Sequence, residues 1–143
     1  MSDDLEAVRR QIRTDRFATV NGIVLLELKP GFARTEMKID ERHLNSVGTV
    51  QGGALFTLAD YAFGAACNTS GRATVAVNMN LSCMKATRSG TLTATATEIA
   101  RGRRITTCTV EVTNSENELV AFFQGTGYIL DVPYPPDAAE SEK

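Results

Sequence analysis

Between Gly52 and about Thr69 the chain is rich in alanine and leucine, contains no proline, and runs into Ser70-Gly71, where glycine can adopt the left-handed conformation that stops a helix. These residues predict one helix of about four to five turns. Its apolar positions, Ala54, Leu55, Leu58, Ala59, Ala62, Phe63, Ala65 and Ala66, cover most of the circumference. A helix apolar on nearly every side belongs inside a domain, so the rest of the chain must wrap around it.

The remaining segments supply the wrapping. After the helix the period changes to two, with Val75, Val77, Met79, Leu81 and Cys83 alternating with Ala76, Asn78, Asn80 and Ser82. Thr91 to Ala100 and Ile105 to Thr113 are rich in Thr, Val and Ile and are joined through Arg101-Gly102-Arg103. Asn114-Ser115-Glu116-Asn117 turns the chain into a last strand, Leu119 to Leu130. Ahead of the helix, Ile23 to Leu28 and Arg34 to Ile39 flank Lys29-Pro30-Gly31-Phe32, which reads as a hairpin. Leu5, Val8 and Ile12 stand at helical spacing among charges and predict a short helix laid on the surface.

The fold class is therefore α+β: an antiparallel sheet of about five to six strands around one central helix. The expected division is an N-terminal helical segment over 1–17, one domain over 18–131, and a C-terminal tail over 132–143 that carries three prolines and is expected to be disordered. Because the helix covers one face of the sheet, the outer face and the edge strands need covering, and oligomerisation is expected.

A chain of 143 residues with 43% hydrophobic and 22% charged residues suits one globular domain. No apolar run approaches the roughly 18 to 20 residues of a membrane span, and no membrane partner is expected. A formal charge of −2 and the lack of a basic stripe argue against nucleic acid. The acidic start, Met1-Ser2-Asp3-Asp4, is unlike a secretory signal, so a cytoplasmic location is the expectation. Cys67, Cys83 and Cys108 are odd in number and widely spaced, which predicts reduced core thiols. With one histidine, His43, and no compact ligand cluster around it, no metal is expected.

Chemistry concentrates at the start of the helix. Asp60 is the one carboxylate in it and is either an ion-paired residue on a solvent edge or a working carboxylate. Gly52-Gly53 either allow close packing or leave backbone N–H groups open at the positive end of the dipole, where an oxyanion would be stabilised. Gln51 and Asn45 carry amides that either bond to the backbone or orient water or a carbonyl. Lys85 and Arg88 are either ordinary solvated charges or partners for the phosphates of a nucleotide-bearing substrate. Gly52 and Asp60 are eight residues apart, about 12 Å along one helix, so both can act on one carbonyl only if two chains meet at the site.

The pattern His43, Asn45, Gly48, Gln51-Gly52-Gly53 and Asp60 resembles the signature of the hotdog-fold acyl-CoA thioesterases, in particular the phenylacetate-pathway, PaaI-like type. The resemblance covers roughly residues 18 to 130. It implies a hotdog fold and hydrolysis of a small aromatic or short-to-medium-chain acyl-CoA at a subunit interface, in a homodimer or a dimer of dimers. No cofactor is implied, since coenzyme A is part of the substrate. By the same resemblance Asp60 is the nucleophile or general base, Gly52, with Gly53, polarises the carbonyl, and Asn45 positions water or substrate. Gln51 belongs to the catalytic set, with Gly53, His43, Lys85 and Arg88 as the substrate-binding residues.

Two positions depart from the family pattern. Gln51 stands where many relatives carry histidine, and Ala76 occupies the strand position that in some relatives holds Ser or Thr near the water. Two alternatives follow on the same fold: a non-catalytic acyl-CoA-binding protein, and an enoyl-CoA hydratase or dehydratase, for which His43 would be the only base.

Overall fold

The apolar circumference of the predicted helix is satisfied by one curved sheet. A computed structural model describes residues 3–137. It contains helices α1 (Asp3–Ile12), α2 (Arg16–Val20) and α3 (Gly52–Cys67) and strands β1 (Ile23–Lys29), β2 (Phe32–Lys38), β3 (Arg72–Cys83), β4 (Thr91–Arg101), β5 (Ile105–Thr113) and β6 (Leu119–Pro133). The six strands are antiparallel, in the order β1-β2-β4-β5-β6-β3. The helix lies against the face formed by Ala33 and Met37 of β2, Leu92, Ala94 and Ala96 of β4, Val110 and Val112 of β5, and Phe123 of β6, all buried. This is the hotdog architecture: a sheet wrapped around a central helix.

Small side chains set how closely helix and sheet approach. Alanines face each other across the contact, and on β6 the Phe123 ring stacks edge-on against Phe56 at 5.5 Å and tilted against Phe63 at 5.6 Å between centroids. Gly125 gives those rings their space, because a Cβ there would come within 2.8 Å of the Phe63 ring and 2.9 Å of Phe123.

Three features differ from the expectations or extend them. Residues 16–20 form α2, too short for a periodic signal and started by Asp15, whose side chain accepts from the Ala18 N–H at 2.9 Å. Strand β6 continues to Pro133, and the Tyr134 N–H donates to the Gly71 carbonyl at 2.9 Å while its ring packs on the core edge. Residues 1–2 and 138–143, the second half of the expected tail, lie outside the described residues.

The third difference is in β3. Its partner is β6, and a register shift between Ala76 and Asn78 reverses the alternation. Paired residues share a face, so Val75, opposite the exposed Tyr128, points outward, while Leu81, opposite buried Phe123, points toward the helix. As an edge strand that overhangs the helix, β3 stays open: Val75, Val77 and Met79 are exposed. The same overhang corrects one cysteine assignment, since Cys83 is exposed while Cys67 and Cys108 are buried.

Gly125→Ala is expected to destabilise the protein by about 1–3 kcal/mol, the cost of overpacking a filled core. Urea denaturation monitored by circular dichroism checks this, with Gly102→Ala, in a solvent-facing turn, as the reference.

Candidate active site

The loop before α3 is built to hold its own shape. His43 ends a 3₁₀ turn (Glu41–His43) and is 1% exposed. Its Nδ1 accepts from the Asp40 N–H at 3.0 Å, and its Nε2 lies 2.7 Å from the Asn21 carbonyl, to which it donates as the neutral tautomer. With both ring nitrogens engaged, His43 is a loop-fastening residue. The expected substrate contact is not available to its side chain, and the hydratase alternative loses its base.

Asn45 is used in the same way. Its Oδ1 accepts from the N–H groups of Val47 at 3.0 Å and Thr49 at 3.1 Å, and its Nδ2 donates to Thr49 Oγ1 at 2.9 Å. These bonds use one of the two Nδ2 hydrogens, so the other can meet water or substrate with the loop contacts intact.

Gln51 is the N-cap of α3: its side-chain oxygen accepts from the Gly53 N–H. That bond separates the two glycines chemically. Gly53 has its donor occupied, contrary to a carbonyl-polarising role, and a Cβ there would meet Gln51 Oε1 at 2.6 Å. The Gly52 N–H has no partner among the described residues, and the space around Gly52 is open, with nothing within 4 Å of an added Cβ. It is the free donor at the positive end of a 16-residue helix.

Asp60 lies two turns further on, half-buried, in the wall of a cavity of about 390 Å³. Tyr61, Gly64, Asn68, Ala76 and Tyr134 line the same space, as do Thr14 and Asp15. No ion pair and no hydrogen bond engages the Asp60 side chain among the described residues, which removes the ion-paired reading. Burial first, and the negative charge of Asp15 second, push its pKa above the ordinary carboxylate value. Tyr61 is held by its hydroxyl, which donates to the Ile12 carbonyl at 3.1 Å, and burial pushes its pKa up to about 12. Both phenols in the cavity, Tyr61 and Tyr134, the latter also at about 12, stay protonated near neutral pH.

The single chain does not bring Gly52 and Asp60 together. Gly52 borders a separate depression with Thr49, Met84 and Lys85. Lys85 pairs there with Glu118, whose pKa falls to about 2, chiefly through the hydrogen bond from Lys85. Arg88 donates to the carbonyls of Val47 at 3.3 Å and Gly48 at 3.4 Å. Both cations sit on the rim of the loop, and both already have partners.

Cys67, Cys108 and Glu98 bring donor atoms within 4.8 Å of one another. They suit a cation poorly. The Glu98 carboxylate accepts from Arg101 at 2.8 Å and from Thr106 at 2.6 Å. Cys67 and Cys108 share a hydrogen bond at 3.2 Å that, with burial, drives the Cys67 thiol well above its usual range.

Sequence reasoning missed Asp15, Gly64, Asn68 and Tyr134 as cavity residues. Tyr134 follows the last strand and Asp15 precedes the first, and no local pattern links either to the helix.

A family model described as the thioesterase superfamily matches residues 47–121. The acyl-coenzyme A thioesterase PaaI of Escherichia coli is 35% identical over 115 residues, covering 80% of this chain and 82% of that protein. Human acyl-coenzyme A thioesterase 13 is 32% identical over 113 residues, covering 76% and 81% respectively. The solved structure of the E. coli PaaI protein superposes with a TM-score of 0.86 at 30% identity, over 91% of this chain and 95% of that one. The chain belongs to the thioesterase superfamily, and within it to the PaaI-like hotdog proteins. Its class of chemistry is thioester hydrolysis.

The raised Asp60 pKa carries a stability consequence. The folded state holds the proton more tightly than the unfolded chain, so stability falls as pH rises from the unfolded value of about 3.8 through the raised folded value. Asp60→Asn is therefore expected to raise the melting temperature at pH 7 to 8, with the gain vanishing near pH 3, as read by calorimetry across that range.

Proposed function

We propose that the protein hydrolyses acyl-CoA thioesters with a small aromatic or short-to-medium-chain acyl group, in sites that two copies of the chain build together. The observation that carries this reading is Asp60: an unpaired, half-buried carboxylate in a cavity wall, about 12 Å along α3 from the open Gly52 N–H. The two groups suit the two ends of one reaction and cannot reach the same carbonyl from one helix.

In the shared site the Gly52 N–H of one protomer meets the thioester oxygen and stabilises the negative charge that develops there. The partner's Asp60 acts on the carbonyl carbon in one of two ways. It adds directly, expelling the CoA thiolate and leaving a mixed anhydride that water cleaves, or it takes a proton from a water that adds in its place. Either route breaks the C–S bond, and the proton from water ends on the departing thiolate or in the medium. The raised pKa serves either route, because a more basic carboxylate is both the better proton acceptor and the better nucleophile.

The open β3 edge supports the pairing. Twelve residues present a free strand edge with Val75, Val77 and Met79 exposed, and a second copy with the same edge would extend the sheet. Lys85 beside Gly52 suits the phosphates of coenzyme A, which would take Lys85 from Glu118. The chemistry calls for no cofactor. For the acyl group, the E. coli relative comes from a phenylacetic acid degradation operon, which supports including an aromatic acid.

Thiol release from acetyl-, hexanoyl-, lauroyl-, phenylacetyl- and hydroxybenzoyl-CoA tests the reading. Proline is tolerated at the first helical position and wants an extended residue before it, which Gln51 is at φ −67° and ψ 139°. Gly52→Pro therefore deletes one N–H with the helix intact, and kcat is expected to fall by about 10²–10³-fold. Undiminished turnover in that variant would remove Gly52 from the mechanism. Folded Gly52→Pro protein that binds acyl-CoA, with no turnover by the unmodified chain on any ester, would favour a binding protein instead.

A further inference from the structure

Helix α3 contains three glycines, and they are not there for the same reason. A Cβ at Gly53 would collide with the Gln51 side chain, so close packing accounts for it. At Gly52 and Gly64 a Cβ would meet nothing within 4 Å, and neither residue has a positive φ. Neither packing nor a positive φ accounts for these two, and Gly64 stands in the helix interior, where glycine is less stable than alanine. Gly52 is the open donor of the site. Gly64 stands one turn beyond Asp60, four residues on and therefore on the same face, about 6 Å along the axis. It lines the cavity that holds Asp60, along with Tyr61 and Ala76.

We infer that Gly64 sets how far an acyl group reaches along α3: the side chain it lacks leaves the room for the part of the substrate about one helical turn from the carbonyl. This rests on Asp60 being the group that acts on the thioester. An acyl group whose carbonyl sits at Asp60 and whose body runs toward Gly64 places its third to fifth carbons, or the ring of an arylacetyl group, against the bare backbone. The contents of the wall fit that occupant. Tyr61 is pinned to α1 through Ile12, and Asn68 is fixed by donating to the Gly64 carbonyl at 2.7 Å and accepting from the Thr74 N–H at 2.9 Å. The floor beside Gly64 is thus rigid and its hydrogen bonds are satisfied, so it excludes by shape. Acetyl groups do not extend to it, and bulkier groups depend on it.

The test compares kcat/KM for phenylacetyl-CoA and hexanoyl-CoA with that for acetyl-CoA in the unmodified protein, Gly64→Ala and Gly64→Val, with Asp60→Asn alongside. The ratio of long to short substrates is expected to fall about 10-fold or more with valine and by less with alanine, the scale on which a pocket senses one or two carbons. Alanine is favoured in a helix, so Gly64→Ala should melt no lower than the unmodified protein and keeps the test valid should valine disturb folding. An unchanged ratio in Gly64→Ala and Gly64→Val, with Asp60→Asn inactive, would overturn the role of Gly64 and leave the thioesterase reading standing. A change in oligomeric state with either variant would also overturn it, by showing that a second copy fills the space. Full activity in Asp60→Asn would overturn the reading of the site itself, and this inference with it.

Discussion

Burial of one helix governs this molecule. Because α3 is apolar around nearly its whole circumference, the sheet must curl over it, and the alanines of β2, β4 and the helix let the two approach closely. The helix is thereby held as a rigid rod with its N-terminus and its one carboxylate at fixed separation. The chemistry inherits that rigidity. The Gly52 N–H and the Asp60 carboxylate on one rod stand too far apart to converge on one carbonyl, so in the proposed mechanism the constraint that makes the fold also divides the site between copies.

The proposed site lies where the wrapping is incomplete. Strand β3 overhangs the helix at the sheet edge, leaving apolar residues exposed and a cavity between α3, β3 and the α1–α2 turn. Asp60 opens into that cavity with no counter-ion, a costly position within a helix otherwise devoted to burial. The motif before the helix is mostly structural by comparison. His43 and Asn45 fasten the loop, and Gln51 closes the Gly53 donor, so that at the start of the helix the Gly52 N–H remains open. Glutamine at position 51 supplies a capping oxygen and carries no group that titrates near neutral pH.

Much of this was legible in the sequence, for physical reasons. The period of apolar residues declares a strand or helix wherever one face is buried, which is why α3 and all six strands could be read along the chain. The separation of Gly52 and Asp60 along the helix could also be read, since helix rise is constant. What could not be read depends on contacts distant in sequence. The shift at Ala76–Asn78 reverses which residues of β3 face the helix, and only pairing with β6 reveals it. Whether Asp60 meets a cation, and that Tyr134 and Asp15 close its cavity, follow from how the two ends of the chain pack across α3.

The division of the site between two chains is the central claim, and complementation tests it most directly. Asp60→Asn and Gly52→Pro subunits, each with its own affinity tag, would be co-expressed, the mixed dimer isolated, and thiol release compared with both parent homodimers. In a shared site the mixed dimer has one composite centre with Gly52 from one chain and Asp60 from the other, both intact. The account predicts up to half of the unmodified turnover from two inactive parents. A mixed dimer as inactive as its parents would contradict it, placing both groups of each site in one chain.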